Sequence, residues 1–121
     1  MKNGKKVLVV DDERGIRLLL SEALLSQGFE VREARDGQES LDVLKEEDFD
    51  LVITDINMPR LDGVGMLQSM KEGGRKEKVI VMTGNPSEKG RFHEGIPNVV
   101  KSIMKPFTME YFVNLVTEVT A

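Results

Sequence analysis

Apolar residues along this chain come in two alternating textures. Short runs of four or five carry almost no polar interruption, and longer stretches place apolar residues every three or four positions. The first texture fits strands covered on both faces, the second amphipathic helices. Strands are predicted at 6–10, 29–34, 51–54, 79–83 and 99–103. The runs KVLVV, LVIT and VIVM read as the central ones. Glu30, Val31, Arg32 and Glu33 alternate, and Lys101 and Ser102 interrupt the last run, so those two strands are predicted at the sheet edges.

Helical stripes fill the gaps. Ile16, Leu19, Leu20, Ala23 and Leu24 form one after Asp12, stopped by Gly28. A second runs over 37–47 on Leu41 and Leu44, with Asp36 and Glu39 spaced as a capping box. A third follows Gly63 on Val64, Leu67 and Met70 and breaks at Gly73 and Gly74. The last, capped by Thr108, puts Phe112, Leu115, Val116 and Val119 on one face. Between the last two lies a weakly specified helix. Asn85, Pro86 and Glu88 make a good start, but Gly90 interrupts it, Gly95 and Pro97 end it, and Phe92 is its one strong apolar residue.

Five such βα units predict one α/β domain over 1–121, a doubly wound five-stranded parallel sheet with right-handed crossovers. A site in such a sheet lies beyond the carboxyl ends of the strands. Asp11, Asp12, Asp55, Thr83 and Lys105 all fall at or just after predicted strand ends. Three acids meeting there at ~5 Å, with an effective dielectric of ~20, repel pairwise by roughly 3 kcal/mol. The cluster therefore calls for a divalent cation, or for chemical modification of one acid. Taken alone, Asp11 or Asp12 is equally well read as a helix N-cap.

Composition narrows the classes. The 121 residues are 40% hydrophobic and 31% charged, with a net charge of −4 and a pI near 5.1. That suits a soluble globular protein and argues against a nucleic-acid-binding surface. Lys71, Arg75, Lys76 and Lys78, interrupted by Glu72 and Glu77, read as a solvated helix end and loop. Absence of cysteine excludes disulfides and thiolate sites and suits a cytoplasmic location. Lys2, Lys5 and Lys6 precede an apolar run that Asp11 cuts too short for a signal segment. No stretch approaches the ~20 apolar residues of a membrane span. His93, the one histidine, has no companion ligand and reads as a surface residue. The methionines read as core filler, apart from Met58 beside the acid cluster.

The chain resembles the receiver domain of two-component response regulators, and the resemblance covers essentially all of it. It rests on Val9-Val10-Asp11-Asp12-Glu13, on Ala34 to Leu41 (ARDGQESL), and on Asp50 to Pro59 (DLVITDINMP) with Asp62-Gly63 following. Met82-Thr83-Gly84 and Lys105-Pro106-Phe107 complete it. The resemblance implies a flavodoxin-like (βα)5 fold with strand order 2-1-3-4-5. It implies Asp55 as the nucleophile that accepts a phosphoryl group from a phosphohistidine. Mg²⁺, replaceable by Mn²⁺, would be held by Asp12, Asp55 and the backbone carbonyl of Asn57, with Asp11 acting through water or orienting the shell. Lys105, after a cis Lys105–Pro106 bond, would pair with a phosphoryl oxygen, and with Asp55 when no phosphate is present. Thr83 would donate its hydroxyl, Gly84 would leave room for the phosphate, Pro59 and Gly63 would shape the loop after Asp55, and Asn57 and Asn85 would tune hydrolysis. Elementary chemistry agrees: phosphoryl transfer to a carboxylate needs positioning and charge neutralisation, and Mg²⁺ is a hard, oxygen-seeking ion.

On the same resemblance the domain is a cytoplasmic switch that directs its own phosphorylation and dephosphorylation, rather than an enzyme with a free substrate. Its partners would be a sensor histidine kinase or phosphotransfer protein, and a downstream protein or linked output domain, with dimerisation on phosphorylation allowed. Whether the chain stands alone or is part of a larger regulator is left open. Ser102 departs from the family, where an aromatic residue usually sits three before the lysine, so the helix around 86–94 is expected to serve as the switching element. Competing readings are a degenerate receiver serving only as an interaction module, a Mg²⁺-dependent phosphotransfer or phosphatase-type α/β enzyme, and a nucleotide-binding module. For the enzyme, a second acid two residues after Asp55 is expected, and Asn57 stands there. For the nucleotide module, Asp11-Asp12-Glu13 would repel phosphate.

Overall fold

The computed structural model describes residues 4–56, 63–84 and 98–121. Strands β1 (Lys6–Val10), β2 (Glu30–Ala34), β3 (Leu51–Asp55), β4 (Lys78–Thr83) and β5 (Val99–Met104) alternate with helices α1 (Arg14–Leu25), α2 (Gly37–Glu46) and α3 (Gly63–Glu72). Helix α4 (Met109–Thr120) follows β5. The expected helix around 86–94, the loop residues Asn57, Met58, Pro59 and Asp62, and Asn85 and His93 lie outside the described residues.

All five strands pair in parallel in the order β2-β1-β3-β4-β5. The two interrupted strands stand at the edges, as their polar residues require. Period-2 alternation sends the apolar side chains to both faces. Leu8, Val10, Val52, Val79 and Val81 pack with Val43, Leu44, Met66, Leu67 and Met70 of α2 and α3. Val7, Val9, Leu51, Ile53, Ile80 and Met82 pack with Leu20, Leu24, Phe112, Leu115 and Val116 of α1 and α4. Each fully buried Leu, Ile, Val or Phe contributes roughly 1.5–3 kcal/mol from area removed from water. Of the methionines, Met66, Met70 and Met82 are core residues.

Caps fix the helix starts. The Asp36 carboxylate accepts from Glu39 N–H at 2.8 Å, and Thr108 Oγ1 accepts from Tyr111 N–H at 3.1 Å. The Glu39 side chain accepts from Arg35 N–H at 3.2 Å. Gly28, at φ 90°, lets the chain leave α1 for β2, a conformation that costs glycine little.

Three local expectations are corrected. Helix α1 starts at Arg14 with Glu13 as N-cap and no side-chain cap; the Asp11 carboxylate accepts from Glu13 N–H, ahead of the helical N–H groups. Leu19 is 51% exposed: the inward stripe of α1 is Ile16, Leu20 and Leu24, flanked by Arg17 and Ser21 rather than by Leu19. The basic run after α3 is not simply solvated. Glu77 is buried, pairs with Arg75 and accepts Phe49 N–H at 3.2 Å.

Candidate functional site

Register brings the acids together. Val10 is level with Thr54, so the residues that follow them, Asp11 and Asp55, emerge side by side. Asp55 remains in the sheet, level with Met82, and for that reason β3 runs one residue further than its apolar run. Thr83 is level with Met104, which delivers Lys105 to the same edge. Backbone bonds carry the ladder past the strand ends: Asp11 N–H to Ala34 C=O at 3.2 Å, and Lys105 N–H to Thr83 C=O at 2.8 Å.

One carboxylate oxygen from each of Asp11, Asp12 and Asp55 lies within 4.8 Å of the others. Asp11 is fully buried, Asp55 nearly so, and Asp12 is exposed. Lys105 Nζ donates to Asp11 Oδ2 at 3.0 Å and to Asp55 Oδ2 at 3.1 Å. Three carboxylates and one ammonium still leave a formal excess of negative charge. Burial alone would lower the Lys105 pKa; the hydrogen bond that Lys105 donates to Asp11 and the charges of Asp55 and Asp11 outweigh it, and the pKa stands above the ordinary lysine value. The Lys105–Pro106 peptide is cis.

The donor set suits a small hard cation. All the ligand atoms are oxygens, and they lie within 4.8 Å of one another, close enough to share one ion. A Cβ at Gly84 would meet nothing within 4 Å, so there is open space next to Thr83, which is itself buried. Asn57, expected to offer a carbonyl, lies outside the described residues.

The sequence reading missed two neighbours of the site. Arg17, on α1, donates from Nη1 to the Asp11 carbonyl at 2.7 Å and from Nε to Glu33 Oε1 on β2 at 3.1 Å. A charged residue on the inner flank of an apolar stripe, three after Arg14, was the available signal. An apolar cleft of about 180 Å³, lined by Ile16, Leu19, Leu20, Pro106, Phe107 and Met109, opens beside Lys105. A larger groove of about 540 Å³ lies at the opposite end of the sheet around Arg75 and Glu77. It is away from the acid cluster, and the chemistry marks the smaller one.

No helix among the described residues is long and apolar enough to cross a membrane. The profile of the response regulator receiver domain matches residues 7–117. The chain is similar to a probable chemotaxis protein CheY from Rhizobium etli, 40% identical over 111 residues that cover 87% of this chain and 84% of that protein. It is 33% identical to response regulator MprA of Mycolicibacterium vanbaalenii over 87% of its own length, but spans only 46% of that relative. Its fold is similar to that of response regulator protein TrrA from Thermotoga maritima, solved in complex with Mg(2+)-BeF, with a TM-score of 0.83 and 30% identity over 95% of this chain and 98% of that one. With the acids and the lysine gathered at the strand ends and the profile matched almost end to end, this chain belongs to the response regulator receiver domains of two-component systems.

Proposed function

We propose that this domain is a phosphorylation switch in which Asp55 takes a phosphoryl group from a phosphohistidine on a histidine kinase or phosphotransfer protein. One observation carries the reading: the Asp55 carboxylate, at the end of a buried strand, lies 3.1 Å from Lys105 Nζ and beside two further acids. An Asp55 oxygen attacks phosphorus, the P–N bond breaks, and the imidazole leaves with the bond pair. Lys105 then exchanges its carboxylate partner for a phosphoryl oxygen, and the buried Thr83 hydroxyl is a donor for another.

Asp12, Asp55 and the Asn57 carbonyl would hold Mg²⁺, or Mn²⁺ in its place. Asp11, with one oxygen on Glu13 N–H and the other on Lys105, orients the shell. The bound ion supplies charge neutralisation for the phosphoryl oxygens. The Mg(2+)-BeF complex of the similar TrrA protein supports this assignment. The apolar cleft beside Lys105, lined in part by the exposed Leu19, supports docking of a phosphodonor protein there. Output passes to a downstream protein or a linked domain, in the cytoplasm.

Intact mass after incubation with acetyl phosphate and Mg²⁺ tests the reading. Wild type should gain one phosphoryl group; Asp55→Asn, or wild type with a chelator, should gain none. Equal labelling of Asp55→Asn, or an unmodified wild type, would overturn it.

A further inference from the structure

We propose that Arg17 is a positioning residue for the metal site, acting through the peptide that joins Asp11 to Asp12; the inference rests on the metal reading above. The Asp11 carbonyl and the Asp12 N–H belong to one rigid peptide plane. The orientation of that plane sets how the two carboxylates stand to each other. Asp11 N–H continues the sheet by bonding to Ala34, but β2 ends at Ala34, and the first carbonyl used by α1 is that of Glu13, which accepts Arg17 N–H. Neither the sheet nor the helix takes up the Asp11 carbonyl, and a buried carbonyl needs a partner.

Arg17 supplies it, at 2.7 Å. Its guanidinium is held in turn by Glu33 at 3.1 Å, with the Arg17 side chain only 15% exposed. Two nitrogens of one planar group thus tie the loop carrying both acids to the end of an edge strand. Lysine, with a single nitrogen, cannot span both partners in this way. The guanidinium bonds to the Asp11 carbonyl and to Glu33, and neither of these bonds uses a carboxylate oxygen of the three-acid cluster. An isolated exposed ion pair would have little consequence; a donor fixed on the backbone of two ligand-bearing residues has more, as outer partners of metal ligands generally do.

Charge and position predict opposite signs, and this makes the idea testable. Arg17→Gln removes a positive charge near three acids, so electrostatics alone would tighten Mg²⁺ binding. Loss of positioning loosens it. The experiment is calorimetric titration of Mg²⁺ into wild type, Arg17→Gln, Arg17→Lys and Glu33→Gln, with folding checked by circular dichroism. Arg17→Gln should bind about tenfold more weakly. Arg17→Lys, which keeps the repelling charge but not the two-point clamp, should also bind more weakly than wild type, and Glu33→Gln, which keeps an acceptor, should stay near wild type. Saturating Mg²⁺ should return the acetyl phosphate labelling rate of Arg17→Gln toward the wild-type value.

Folded Arg17→Gln that binds Mg²⁺ as tightly as wild type, or more tightly, overturns the proposal and leaves the site reading intact. Should that variant not fold, Arg17→Lys decides: unchanged affinity overturns the proposal and weakened affinity supports it. A wild type that takes up no Mg²⁺ overturns both this inference and the metal reading.

Discussion

Lys105 lies 94 residues from Asp11 in the chain, yet its Nζ donates to Asp11 Oδ2 at 3.0 Å. The same ammonium holds Asp55, so one charge bridges the ends of β1 and β3. Lys105→Met should leave two buried carboxylates facing each other without that bridge. We expect a loss of about 1–3 kcal/mol in metal-free buffer, below the ~3–5 kcal/mol of a fully buried pair because the lysine is partly solvated. Mg²⁺ should restore stability to this variant more than it stabilises wild type, since the ion meets no competing ammonium. Urea unfolding with and without Mg²⁺ measures both effects; a variant as stable as wild type without metal contradicts the bridge.

The raised pKa of Lys105 carries a pH dependence of definite sign. Burial opposes the ammonium, but Asp11 and Asp55 more than offset it, so the folded value lies above the ordinary 10.5. The folded state therefore holds this proton more tightly than the unfolded chain does. Its contribution to stability is full below the unfolded value and is lost as pH rises through the folded one. The difference in urea midpoint between wild type and Lys105→Met should shrink as pH passes ~10.4 and beyond. A difference that is constant or growing there would show the opposite linkage.

Strands and edges were legible in the sequence because a parallel strand buried on both faces must be nearly all apolar, and KVLVV and LVIT are. The meeting of Asp11, Asp12 and Asp55 followed from the same logic, since parallel strands end on one edge. What could not be read was whatever depended on exact register or on a helix's rotation. Asp55 extends β3 because Met82 lies level with it, a fact absent from the sequence of β3. Leu19 satisfied the 3.6-residue period but faces outward, because Arg17 and Ser21 take the inner flank. Glu77 looked like one more charge in a mixed run, and only the fold reveals that it is buried beside Phe49.

Asp12 is the exposed member of the cluster, set beside two further acids, and under the proposed function it is a ligand of the cation. Replacing it with Asn removes repulsion from Asp11 and Asp55 without leaving a buried partner stranded. Metal-free stability should rise by about 0.5–1 kcal/mol, the modest scale of interactions reaching solvent, while Mg²⁺ should no longer stabilise the protein. Thermal unfolding with and without Mg²⁺ checks this. A variant that is less stable without metal would mean that Asp12 has a structural role.

Ser102 is buried, and its hydroxyl has no hydrogen-bond partner among the described residues. An unsatisfied buried hydroxyl costs about 1–3 kcal/mol relative to a satisfied one. Removing the oxygen therefore relieves a penalty and leaves a void of only one atom. Ser102→Ala should be as stable as wild type or up to about 1 kcal/mol more so. A clear loss of stability in urea unfolding would reveal a partner for this hydroxyl.

At the opposite end of the sheet, Glu77 ties three segments together. Its carboxylate accepts Phe49 N–H ahead of β3 and pairs with Arg75. Arg75 in turn donates to the Glu47 carbonyl, while its own carbonyl accepts Asn98 Nδ2 at 2.6 Å ahead of β5. Glu77→Ala strands a buried N–H and takes one partner from Arg75, which keeps Asp48 and the Glu47 carbonyl, for an expected loss of about 1–3 kcal/mol. Because this network stands at the strand starts, Mg²⁺ affinity in the folded fraction should not change. Urea unfolding and Mg²⁺ calorimetry on the same preparation separate the two quantities. A weakened metal site in a folded Glu77→Ala protein would mean that the two ends of the sheet are coupled through its strands.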